Sequence, residues 1–141
     1  MKGNIYLVLA AAGLALAGCN KAESPAEVQH DVATAQAEAQ RDVSDAQADA
    51  KEQMADAQKD VVDAQNDHDA DDVADQARDA SETAAKGDFK VAVARAEATH
   101  KIATEKCEAL QGNAQEDCKA RADADLDAAK RAAEARRDGS G

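Results

Sequence analysis

The chain of 141 residues has no tryptophan, one phenylalanine, one tyrosine and one proline. Large apolar side chains are scarce as well. Past residue 18 there are eight valines, two leucines, one isoleucine, one methionine and Phe89. A compact domain of this size ordinarily holds far more. That scarcity argues against a catalytic or ligand cleft, which is concave and mostly apolar. Runs of β-branched and aromatic residues are missing, so there is no material for a sheet. No Ser–His–acid set sits on a scaffold able to preorganise it, and no phosphate loop is present. The expectation is a protein that is not an enzyme, with no cofactor, no metal and no small-molecule substrate.

What fills the chain instead is alanine, 33 of them from residue 19 onward. Alanine is the best helix former, and Gln, Glu, Lys and Arg follow closely. The expected fold is all-α and elongated: a long helix followed by a helical hairpin. Charge is unevenly spread. Residues 19–85 hold 18 acidic and 5 basic side chains, whereas residues 86–141 hold 11 of each. Anionic headgroups would repel the acidic half, so it should stand off a bilayer. Nucleic acid is excluded as a partner for the same reason.

The N-terminal residues have a different character. Lys2 precedes an apolar stretch, Ile5 to Ala17, interrupted only by Gly13. It is shorter than the roughly 20 apolar residues a spanning helix needs, and has the layout of a secretory signal. It ends in Leu16-Ala17-Gly18-Cys19. These four residues resemble, letter for letter, the lipobox of bacterial lipoproteins. The resemblance implies that the Cys19 thiol receives a diacylglyceryl group. A peptidase then cuts between Gly18 and Cys19, and a further acyl chain such as palmitate caps the new amine. The chain would be held to a membrane by its N-terminal lipid, facing the periplasm. In similar lipoproteins an Asp after the cysteine favours the inner membrane; here Asn20 stands there, which points to the outer membrane.

Beyond residues 1–18, the signal, and 19–24, the lipidated tether, residues 25–86 read as an acidic helical rod. Ser24-Pro25-Ala26-Glu27 is a helix start: Ser24 caps, Pro25 fits the first helical position and Glu27 completes a capping box. An eleven-residue repeat follows, beginning at Asp31, Asp42 and Gln53. Val32, Val43 and Met54 share one site, Ala35, Ala46 and Ala57 a second, Ala39, Ala50 and Val61 a third. Eleven residues in three turns keep this stripe nearly axial. Its small side chains suit a helical protein partner or weak self-association. The run 66–72, NDHDADD, is the expected weak point, because it has no apolar stripe and its like charges repel. Asp67, Asp69 and Asp71 have the spacing of a calcium loop. Asp72 stands where that loop needs Gly, and Arg78 where it needs a bidentate Glu. A loose divalent-ion site with His68 competes with a plain solvated hinge.

Gly87-Asp88 reads as a helix stop followed by a new cap, which sets residues 87–138 apart as a hairpin. Phe89, Val93, Ala96, His100, Ala103, Cys107 and Leu110 form a heptad seam. Gly112 ends that helix, Asn113 with Glu116 suggests a second capping box, and Cys118, Ala122, Leu126, Ala129 and Ala133 answer the seam. In register, His100 falls near Asp125 and Phe89 near Arg136. Glu97–Lys101, Asp117–Arg121 and Asp127–Arg131 are favourable pairs one turn apart. In an oxidising compartment Cys107 and Cys118 should form a disulfide, contributing about 3 kcal/mol. The rival reading is a redox or metal pair; it lacks CxxC spacing and has only His100 as a further ligand. Residues 139–141 form a disordered tail.

An alanine-rich, lipid-anchored helix resembles the Braun-type murein lipoproteins, whose seam is also made of small residues. Their repeat is heptad and their chain ends in a lysine joined to peptidoglycan, unlike the eleven-residue repeat and the Gly-Ser-Gly here. The repeats also resemble those of late-embryogenesis-abundant desiccation proteins. The expected function is a non-catalytic envelope lipoprotein, a structural spacer or interaction protein in the periplasm. The alternative is a stress protectant of the envelope.

Overall fold

The computed structural model describes residues 22–67 and 70–139. The protein is all-α. Its helices are α1 (Pro25–Asp67), α2 (Ala70–Cys107) and α3 (Asn113–Asp138), with no strand among the described residues. At 1.5 Å per residue they are about 65, 57 and 39 Å long.

The start of α1 is the capping box expected from the sequence. The Ser24 N–H donates to Glu27 Oε2 at 2.9 Å, and the Glu27 N–H donates to Ser24 Oγ at 3.3 Å. Two backbone donors left over at a helix start are thereby satisfied. α1 ends at Asp67 and α2 begins at Ala70, within the acidic run that lacks an apolar stripe. His68 and Asp69 lie outside the described residues.

α2 is the central element. α1 packs along it and α3 packs along its C-terminal half, and among the described residues α1 and α3 do not meet. Both pairings are antiparallel. From one end of α1 to the other, Glu23 lies against Glu108, Glu38 against Lys101 and Gln53 against Lys90. Along α3, Cys118 faces Cys107, Lys130 faces Glu97 and Arg137 faces Phe89. The C-terminal part is thus a helical hairpin stapled by a disulfide, with 5.7 Å between the two Cα atoms.

All nine repeat sites of α1 are buried or half-buried. Ala35 and Ala39 are 2% and 4% exposed. The stripe spaced 3-4-4 is therefore the face that α1 turns to α2. The rest of the core is equally small: Val28, Ala64, Ala80, Ala122 and Ala133 are buried, and Cys107 is the one fully buried side chain among the described residues. Short side chains bury little area each, but they let two helices lie close over many turns.

Gly87 corrects the expected division at residues 86 and 87. It is neither stop nor cap; α2 runs unbroken through it. A Cβ built on Gly87 would lie 3.1 Å from Ala50 Cβ and 3.6 Å from Ala50 Cα. The residue marks close approach of α1, not a helix end, and the rod and the hairpin share α2.

The second expected cap is also different. Asn113 is the first residue of α3, and Gly112 is the N-cap, with φ +56° and no side-chain cap bond. The Gly112 carbonyl accepts from the N–H groups of Gln115 and Glu116. Glycine takes this left-handed backbone without steric penalty. α2 has already ended at Cys107, its last carbonyls taken up by bonds three residues long from Glu108, Ala109 and Leu110. Leu110 thus falls off the seam and is 39% exposed. At the far end the Gly139 N–H donates to Ala135 O at 3.1 Å, so Gly139, placed in a disordered tail by the sequence, is bonded to α3; Ser140 and Gly141 lie outside the described residues.

Candidate functional site

Of the residues singled out by the sequence, Leu16, Ala17, Gly18 and Cys19 lie outside the described residues. Cys107 and Cys118 are bonded to each other. They hold the loop end of the hairpin, where α1 also begins. The lipidated tether expected over residues 19–24 is tied to the helical body at Glu23. The Glu23 N–H donates to Glu108 O at 3.2 Å, a carbonyl just past the end of α2.

Glu108 joins all three helices at this end. Its backbone carbonyl holds Glu23, and its carboxylate accepts from Gln115 Nε2 at 2.6 Å and from Lys119. Acidic side chains gather around it. Loss of water around the Glu23 carboxyl, followed by the charges of Asp31, Glu108, Glu105 and Glu27, raises it above its usual 4.5. Glu23 Oε2 is buried with no hydrogen-bond partner. Glu27, beside it, is lowered instead, because Ser24 donates to its carboxylate. About three turns further along α1, Lys101 binds Glu38 across the α1–α2 interface, and this contact lowers the Glu38 carboxyl.

The α2–α3 interface is more polar than the seam implies. His100 Nε2 lies 2.7 Å from Asp123 Oδ1, not beside Asp125, and its side chain is 25% exposed. Asp123 and Asp125 stand on opposite flanks of the α3 stripe, so periodicity alone does not choose between them. Glu97 and Lys101 do not pair along α2; they reach Lys130 on α3 and Glu38 on α1. Ala129 is exposed and Lys130 half-buried in its place. At the open end the Arg137 guanidinium, rather than Arg136, sits 4.7 Å from the centre of the Phe89 ring. Such a cation–π contact contributes about 0.5–1 kcal/mol at an exposed site.

Between α2 and α3 runs an open groove of about 740 Å³. Eight alanines line it with Phe89, Val91 and Leu126, and Arg95, Arg136 and Arg137 are among its charged residues. No α1 residue lines it. Among the described residues, no helix is long and apolar enough to cross a membrane, and no cluster of His, Cys, Asp and Glu has the arrangement to hold a metal ion.

Neither the Glu23–Glu108 junction nor the groove was expected from the sequence. A signal for the first does exist. Ala80, Gly87, Ala94, Ala98 and Lys101 recur at intervals of seven, seven, four and three residues, and so share one helical face. That is a second stripe on α2, beside the one headed by Phe89, and a helix with two stripes needs two partners.

Comparison with known protein families, curated proteins and solved structures finds no match to this chain.

Proposed function

We propose that this protein is a non-catalytic lipoprotein of the bacterial envelope, held to a membrane through Cys19, whose helical body acts as a spacer and interaction surface in the periplasm. The observation that carries this reading is Leu16-Ala17-Gly18-Cys19 at the end of a complete export signal, five residues before a capped helix. The alanine core supports it: such a body extends far for its mass and presents polar faces along its length. Asn20 after the cysteine favours the outer membrane. The groove between α2 and α3 suits a helical protein partner, with a second copy of the chain as the alternative occupant.

Cys19→Ser tests the reading. It should abolish both cleavage after Gly18 and retention in the membrane fraction. Normal processing and normal fractionation of that variant would refute it. Anchoring of the acylated chain should be firm, since each buried CH₂ adds about 0.8 kcal/mol and two or three acyl chains are involved.

The eleven-residue alanine–glutamine repeat favours a second reading, a stress protectant that is helical only when dried or crowded. What speaks for the rod is that all nine repeat sites are turned to α2. Circular dichroism of residues 20–141 in dilute buffer separates the two. Helix supports the rod; coil that becomes helical on drying supports the protectant.

A further inference from the structure

The fold-back of α1 on α2 fixes which end of the molecule lies next to the anchor. Three residues separate Cys19 from Glu23, so the two Cα atoms lie at most about 14 Å apart. Glu23 is hydrogen-bonded to Glu108 at 3.2 Å. The stapled α2–α3 loop therefore stays beside residue 19 whatever path the intervening residues take. The end where α1 stops and α2 starts lies about 65 Å away along α1.

The exposed large hydrophobic side chains among the described residues are Leu110, in the stapled loop, and Val62, near the other end. Residues 22–31 and 105–121, which meet at the stapled end, hold seven acidic and three basic side chains, net −4, whereas residues 45–92 hold 14 acidic and 5 basic, net −9. The end remote from residue 19 therefore carries more of the negative charge that a phosphate-bearing surface repels.

We infer that the stapled loop, with Leu110 at its tip, is the face that rests on the phospholipid headgroups, and that the rod stands upright with its acidic α1–α2 end projecting into the periplasm. This rests on anchoring at Cys19. The partner of the loop is a zwitterionic headgroup layer: an apolar tip on an end with more acidic than basic side chains has no cluster of bases with which to select anionic lipid. The staple then has a second role. It holds together the end that bears on the bilayer, while Glu108 ties α1, and with it the anchor, to the hairpin.

The absence of tryptophan gives a clean test. Leu110→Trp and Val62→Trp are made in the full, acylated chain. Each protein is reconstituted in vesicles of zwitterionic phospholipid doped with an energy-transfer acceptor on the headgroup. Transfer from position 110 should exceed that from position 62 by more than about fivefold, given roughly 55 Å of helix between Pro25 and Val62. Gln111→Trp, at a neighbouring exposed position, should behave like Leu110→Trp and guards against a local defect. Equal transfer from both ends, as from a rod lying flat, overturns the upright orientation, and so does stronger transfer from position 62. Protein that does not stay with the vesicles overturns the anchoring and the orientation together.

Discussion

Replacing Gly87 by alanine sets two effects of similar size against each other. Inside a helix, alanine is favoured over glycine by about 0.8–1.0 kcal/mol. The new Cβ, however, would stand 3.1 Å from Ala50 Cβ, 3.6 Å from its Cα and 3.9 Å from its carbonyl oxygen. Ala50 has no rotamer with which to retreat, so α1 must move by a few tenths of an ångström over several packed turns. Overfilling a tight contact costs on the order of 1–3 kcal/mol. Gly87→Ala alone should therefore give no stabilisation, or a small loss. In an Ala50→Gly background the clash is gone, and the same change should yield the full propensity gain of about 1 kcal/mol. The two sites should be coupled by about 1 kcal/mol or more in a double-mutant cycle. Urea unfolding of residues 20–141, followed by circular dichroism, measures all four corners. Additivity within about 0.3 kcal/mol, with Gly87→Ala stabilising in both backgrounds, would mean that α1 does not lie against Gly87.

Two further perturbations address the stapled end. Cys107→Ser with Cys118→Ser opens a covalent loop of eleven residues' separation; it should cost about 3 kcal/mol and lower the urea midpoint, and an unchanged midpoint would show the staple to be dispensable. Glu23 and Glu38 should respond oppositely to pH. The Glu23 carboxyl is raised above 4.5 in the fold, so its ionisation weakens the protein as pH climbs through that raised value; Glu23→Gln should stabilise at pH 7 and be nearly silent at pH values below its unfolded pKa. Glu38 is lowered by Lys101, so its contribution is present above 4.5 and lost as pH falls through the folded value. Glu38→Gln should destabilise at pH 7 and have little effect in acid, and matching pH profiles for the two variants would contradict these assignments.

Much of the fold is legible where short-range chemistry decides it. Ser24 and Glu27 form their capping box because both partners lie within one turn. The repeat sites from Val32 to Val61 face α2 because periodicity fixes the buried stripe of a helix. Cys107 and Cys118 meet because the seams on either side of Gly112 bring them level. Legibility ends where a third helix decides. Gly87 in a helical stripe reads equally as a stop or as a place of close approach, and only Ala50, 37 residues earlier, settles it. Glu97 and Lys101 satisfy the rule for pairing along one helix, yet each has a better-placed partner on a flanking helix. The packing of α1 back along α2 was not legible for the same reason. α1 has an apolar stripe nearly as long as α2, and burying one against the other returns the chain to its starting end.

That return is the claim on which the placement of the anchor, the staple and the loop depends. Small-angle X-ray scattering from residues 20–141 tests it without any label or substitution. With α1 folded along α2, the longest dimension should be near the length of α1, about 65–70 Å. A continuous rod from Pro25 to Cys107 would instead measure about 125 Å, and a longest dimension above about 100 Å would contradict the fold-back and everything derived from it.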